Sequence, residues 1–199
     1  MIAIPDRMKH LKVDPRGFPI PYGVVIDLDG TAHFAVADEF IRQRTIAEGL
    51  CSICGTKLFR GRWLIGGPLS AFASNGCFLD PPMHDECAHY ALQTCPYIAL
   101  PRYRREIGPA KAKAADLEQD FLVMTAEEAE TGRPAGDLFI ALMTVNRIDL
   151  VHDGQYLKPR GEYRRVEYWR HGRQLSDAEG IGLLEQHYPE IIGALEARS

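Results

Sequence analysis

Cys51-Ser52-Ile53-Cys54-Gly55 and, further along, Pro82-Met83-His84-Asp85-Glu86-Cys87 carry the reading on which the rest of the chain turns. The CxxC and HxxC pairs supply three thiols and one imidazole, the donors with which Zn²⁺ fills all four corners of a structural site. Positions i and i+3 share one face of a helix, so a helix starting at Met83 or His84 turns His84 and Cys87 together towards the CxxC turn. The positive end of that helix also favours thiolate. Gly55 suits the tight knuckle, because glycine alone enters positive φ cheaply. The order knuckle, hairpin, then two ligands at a helix start predicts a treble clef zinc finger. Closing it would pin residues 55–83, and zinc binding can supply on the order of 10 kcal/mol for that.

Working outward, Tyr22-Gly23-Val24-Val25-Ile26-Asp27-Leu28 is β-branched, Asp29-Gly30 is a hairpin turn, and residues 31–37 return as a second strand. Asp38 caps a helix over residues 39–48, with Phe40, Ile41 and Ala47 as its apolar side and Gly49 as its stop. Proline and charge make residues 5–21 an irregular arm. Residues 57–72 read as a short hairpin around Gly66-Gly67-Pro68, and the metal-bearing helix ends before Pro96. Phe121-Leu122-Val123-Met124 is a strand candidate and Thr125 caps a helical turn after it, while residues 138–146 are an apolar strand candidate whose alanine and methionine also suit a helix. Asp153-Gly154 and His171-Gly172 bracket a β-meander that includes residues 163–170. Ser176 with Glu179 forms a capping box ahead of a final helix that Pro189 splits. The expected architecture is α+β: residues 1–100 carry the N-terminal hairpin, helix and zinc unit, 101–115 form a basic linker, and 116–199 form an α+β region with a β-meander plus helix packed on the first.

A net charge of −4 and a pI near 6.0 argue against a surface that is nucleic-acid footprint throughout. No apolar run approaches the ~18 residues of a membrane span, and the first residues lack the pattern of a signal peptide. The expected location is the cytoplasm, where thiols stay reduced and cysteines at these spacings bind metal. Cys77 and Cys95 remain over as small, semi-buried residues.

Three catalytic alternatives use particular residues. His84-Asp85-Glu86 is an HxE motif, and in a zinc hydrolase or deaminase Glu86 would shuttle protons for metal-bound water. The CxxC precedes that motif here, however, and Cys87 takes the position water would need. A nuclease of the ββα-metal kind would want a histidine on the hairpin, and residues 59–72 contain none. Asp27-Leu28-Asp29-Gly30-Thr31 resembles the DxDGT nucleophile loop of haloacid dehalogenase-class phosphatases, where Asp27 would be the nucleophile beside Mg²⁺. The flanking residues read as a plain hairpin instead.

Arg164, Arg165 and Arg170 stand among Tyr163, Tyr168 and Trp169, and Arg102, Arg104 and Arg105 lie in the linker. Arginine with aromatic platforms suits phosphate contact and base stacking. Alternation places Val166, Tyr168 and Arg164 on one side of a strand, with Arg165, Glu167 and Trp169 on the other.

Cys51 to Cys54 with Gly55, Gly66-Gly67-Pro68-Leu69, Asp80-Pro81-Pro82-Met83-His84, Cys87-Ala88 and Cys95-Pro96-Tyr97 together resemble a family of bacterial and phage treble-clef zinc proteins with no assigned activity. The resemblance spans residues 16–101, with an echo in Val166-Glu167-Tyr168-Trp169. The chain departs from that pattern at Leu69-Ser70-Ala71-Phe72. The resemblance implies a zinc-bearing fold. The combined expectation is a zinc-stabilised, non-catalytic binding protein for nucleic acid or a protein partner, with Cys51, Cys54, His84 and Cys87 as ligands.

Overall fold

The computed structural model describes residues 2–99, 121–123, 138–189 and 191–192. After a 3-10 turn at Asp6–Met8 come β1 (Val24–Ile26), β2 (Ala32–Asp38), α1 (Glu39–Glu48), β3 (Arg62–Gly66), α2 (Pro68–Phe72), α3 (Asp85–Thr94) and α4 (Pro96–Ala99). Then follow β4 (Phe121–Val123), β5 (Leu138–Thr144), β6 (Ile148–Val151), β7 (Tyr156–Pro159), β8 (Arg165–Arg170), β9 (Arg173–Gln174) and α5 (Asp177–His187). The fold is mixed α+β. The linker at 101–115, with Arg102, Arg104 and Arg105, and the helical turn at Thr125 lie outside the described residues.

Local chemistry fixes several ends. The β1–β2 hairpin closes where the Asp27 amide donates to the Thr31 carbonyl at 2.9 Å, with Gly30 at φ +89°. The Asp38 carboxylate accepts the Ile41 amide at 3.0 Å to cap α1, and Gly49 ends that helix in the left-handed region. α1 does not bury the side its apolar residues suggested. Phe40 is 77% exposed, while Arg42 and Thr45 face inward. The reason is polar: Arg42 Nε donates to the Leu79 carbonyl at 2.9 Å, Nη2 to the Gln155 carbonyl and Nη1 to Glu39 at 3.1 Å. A buried cation holds its place when its donors are met in this way.

The central sheet has the order β3-β5-β8-β9, antiparallel throughout, with Trp63 opposite Met143 and Met143 opposite Arg165. Successive side chains alternate between its faces. Trp63, Ile65, Ala141 and Trp169 pack on one face with Met8, Met83, Ala88, Leu92 and the cysteines. Leu64, Ile140, Leu142 and Tyr168 pack on the other with Phe72, Phe78, Leu184 and Ile191. β5 is therefore covered on both sides, which is why its sequence shows no polar alternation.

Two expectations are corrected. Residues 57–72 do not form a hairpin: β3 pairs with β5, and Pro68 opens α2 at its first turn, where a missing amide costs nothing. The C-terminal strands are not one meander either. β6 and β7 form their own two-stranded sheet, while β8 joins β5. The turn residues His152, Asp153 and Gly154 at positive φ suit β6–β7, and apolar Val166 and Tyr168 find their burial beside β5 rather than beside β7.

α5 starts with the expected capping box, Ser176 Oγ accepting the Glu179 amide and Glu179 accepting the Ser176 amide at 2.8 Å. Its Gly180 lies against β8, where an added Cβ would stand 2.1 Å from Tyr168 Cγ. In an open helix Gly→Ala stabilises by up to ~1 kcal/mol. Here Gly180→Ala is expected to destabilise by about 1–3 kcal/mol through overpacking, seen as a lower urea midpoint. An unchanged or raised midpoint would contradict this packing. Glu179 yields a second expectation. Hydrogen bonds from the Ser176 amide and hydroxyl, then Arg173, hold its carboxyl down at about 2 against an ordinary 4.5. The stability it contributes is thus present above pH 4.5 and is lost as pH falls through about 2. Glu179→Gln should flatten that acid limb in pH-dependent melting.

Candidate metal centre

Knuckle residues come first. The Cys51 amide donates to the Thr56 carbonyl and the Gly55 amide to the Cys51 carbonyl, both at 2.8 Å, and Leu50 and Lys57 form an antiparallel bridge. Gly55 sits at φ +71°, and a Cβ there would meet the Tyr22 ring at 2.7 Å. Its turn thus needs glycine for conformation and for space. The knuckle is tied to the approach to α3 by the Ser52 hydroxyl and the Pro81 carbonyl at 2.9 Å. Met83 exchanges two backbone hydrogen bonds of 2.9 Å with Trp63 of β3, which sets the entry of the helix. His84 is the N-cap of α3, and Cys87 lies in its first turn.

These elements bring Cys51, Cys54, His84 and Cys87 together, with ligand atoms all within 4.8 Å of one another. Each of the four is at most 5% exposed. The His84 tautomer follows from its partners. Nε2 lies 3.0 Å from the Lys57 carbonyl, which can only accept, so Nε2 carries the proton. In the neutral imidazole Nδ1 is then the unprotonated nitrogen, 3.4 Å from Cys54 Sγ. A ligating histidine is commonly oriented by such a donation from its other nitrogen. The His84 amide points at Cys51 Sγ at 3.4 Å, and the Thr56 hydroxyl lies 3.1 Å from Cys54 Sγ.

Crowding of three sulfurs splits their acidities. The hydrogen bond with Cys51, then those with Cys87 and Thr56, pushes the Cys54 thiol far down. The mirror-image bonds to Cys51 and Cys54 push Cys87 far up, and the one to Cys54 raises Cys51. Protein groups alone thus favour one thiolate among three. A dication resolves that conflict by taking all three sulfurs as thiolates, and with the unprotonated Nδ1 the donor set fits a metal ion. A buried Cys₃His cluster of this kind could hold a structural metal ion.

His89 anchors the same helix. Its Nδ1 lies 2.8 Å from the Asp85 carbonyl and its Nε2 2.9 Å from Glu167 of β8. Trp169 Nε1 also donates to Glu167 at 3.0 Å, and the imidazole stands edge-on to Trp63 and Trp169. Both ring nitrogens are committed, so His89 fastens α3 to the sheet. Glu167 lies 78 residues away in sequence, so no local pattern signals this contact.

Other candidate residues fall elsewhere. Glu86 points to the surface and pairs with Arg7 Nε at 2.5 Å. Asp27 ends an antiparallel strand and pairs with His33 at 2.7 Å. A dehalogenase-type nucleophile would end a parallel strand, so the phosphatase alternative is corrected to a hairpin turn. Trp169 is 3% exposed and belongs to the core, so it offers no stacking platform. Arg165 and Arg170 lie on opposite faces of β8, as the alternation required, and cannot form one surface. Cys77 and Cys95 are half-buried and stand apart from the cluster. Sequence reasoning passed over Thr56 and the Lys57 carbonyl, which support Cys54 and His84. Their position directly after CxxCG was the available signal.

No family model matches the chain, and no curated protein or solved structure matches it significantly.

Cys87→Ala is expected to lose most bound metal on dialysis, whereas Cys77→Ala keeps it, as read by elemental analysis of both proteins. Equal retention in the two would remove Cys87 from the ligand set.

Proposed function

We propose that Zn²⁺ fills the Cys51, Cys54, His84 and Cys87 cluster as a structural ion, and that the chain is a non-catalytic binding protein built around it. The observation that carries the reading is the burial and mutual proximity of four soft donors. Three thiols and one imidazole are a set that suits zinc. Four protein ligands leave no position for a reactive water, and Glu86 is held at the surface by Arg7.

The treble clef belongs to the same proposal. What supports it is the knuckle and the two donors at the start of α3; in place of the expected hairpin there is β3 with the isolated Trp63–Met83 bridge, and α2 lies between them. The kinship with bacterial and phage treble-clef zinc proteins rests on the motifs at residues 51–55, 81–88 and 95–96. A reducing cytoplasm would keep the thiols available. Among the described residues no helix is long and apolar enough to cross a membrane.

Chain purified without chelator should contain close to one zinc per molecule, and chelator should lower its melting temperature by an amount that added zinc restores. A content below about half an equivalent, with no thermal response to zinc, would overturn the proposal.

A further inference from the structure

Three remote segments meet at one end of the central sheet. Arg62 opens β3 opposite Thr144, the last residue of β5, and Arg165 opens β8 opposite Met143. The Arg160 amide donates to the Arg147 carbonyl and the Arg164 amide to the Met143 carbonyl, each at 2.9 Å. Asn146 Nδ2 donates to the Glu162 carbonyl at 3.0 Å, and Arg62 Nη2 donates to the Asn146 carbonyl. Neighbouring strands lie about 4.8 Å apart, so this end of the sheet gathers Arg62, Arg147, Arg160 and Arg164, with Arg60 just ahead of Arg62, into one short row, while Arg165 turns to the other face and lies over the Trp63 ring.

The row is open and only partly neutralised. The side chains of Arg147 and Arg160 are 84% and 65% exposed. Arg147 and Arg160 share one carboxylate, Asp149, and Arg165 pairs with the buried Glu167. Glu162 lies on the same edge. Arg60 and Arg164 are exposed and have no acidic partner among the described residues. Such a concentration of cations in a chain of net charge −4 is a local electrostatic feature with a direction. Next to Arg60 stands Phe59, 65% exposed, with Arg7 at 5.5 Å from the centre of its ring and His84 beside it.

Guanidinium forks match phosphate oxygens, and an exposed aromatic ring offers a face for a base. We propose that this arginine edge binds a single strand of nucleic acid, with phosphates along Arg60, Arg62, Arg147, Arg160 and Arg164 and a base against Phe59. The inference deepens the binding role proposed above and names its partner. It also links that partner to the metal cluster, since residues 57–62 leave the knuckle at Lys57, whose carbonyl accepts from His84, and run into β3.

The test is fluorescence anisotropy of labelled oligo(dT) and oligo(U) with the full zinc-loaded chain between about 50 and 200 mM salt. The expected result is salt-dependent binding, weakened at least about tenfold in Arg60→Glu/Arg164→Glu, with the slope of log affinity against log salt reduced by about 1.4 in Arg60→Ala/Arg164→Ala. Arg173→Glu, remote from the edge and paired with Glu179, should bind as the wild type does. Phe59→Ala should weaken binding with the salt slope unchanged. Zinc content and melting temperature are measured on every sample. A zinc-loaded wild type that fails to bind overturns this inference and leaves the structural zinc intact, whereas a preparation without zinc overturns the metal reading itself. Equal affinity of Arg60→Glu/Arg164→Glu and wild type, or tighter binding of a phosphopeptide or inorganic polyphosphate than of either oligonucleotide, would also overturn it.

Discussion

Strand β5 is covered on both faces, and the rest of the described fold is arranged to cover it. One face receives Trp63, Trp169 and the elements that carry the cysteines, the other receives α2 and α5. Burying one large apolar side chain contributes about 1.5–3 kcal/mol. A strand with Ile140, Ala141 and Leu142 all fully buried therefore draws partners from both ends of the chain. β3 on one side and β8 on the other meet its hydrogen-bonding groups, since an unpaired buried peptide would cost most of what burial contributes.

The Cys₃His cluster sits within the first of these two cores and depends on it. α3 could not present His84 and Cys87 to the knuckle unless its own axis were fixed. Two contacts fix it, the Trp63–Met83 bridge at its entry and the His89–Glu167 pair one turn further on. The buried carboxylate of Glu167 is held by His89, Trp169 and Arg165, so the sheet reaches α3 through polar contacts as well as apolar packing. Dependence runs the other way too. Three sulfurs in contact repel as thiolates, and a cation among them would turn a local conflict into a fastening between knuckle, strand and helix.

Much of the local structure was legible. Asp38, Gly49, Ser176 and Glu179 marked helix ends because capping chemistry acts within a few residues. The i,i+3 spacing of His84 and Cys87 placed both donors at one helix start. The failures share one cause. Residues 57–72 and the strands after residue 144 were paired with their neighbours in sequence, whereas β3 and β8 both chose β5. The apolar side of α1 misled in the same way, because the partners of Arg42 are carbonyls of Leu79 and Gln155.

The basic stretch shows where the division falls. Composition identified arginines with aromatics, and alternation alone separated Arg165 and Trp169 from Tyr168. What the linear order could not supply was company. Arg164 gains Arg60, Arg62 and Arg147 only because β5 brings its two partner strands into register. The sequence by itself determined the four soft donors of the Cys₃His cluster, the capped helices and the N-terminal hairpin, all set by chemistry within a few residues or by fixed helical geometry. Only the tertiary structure decided strand pairing, that both tryptophans are core, and which arginines share an edge, since those follow from long-range burial of one central strand.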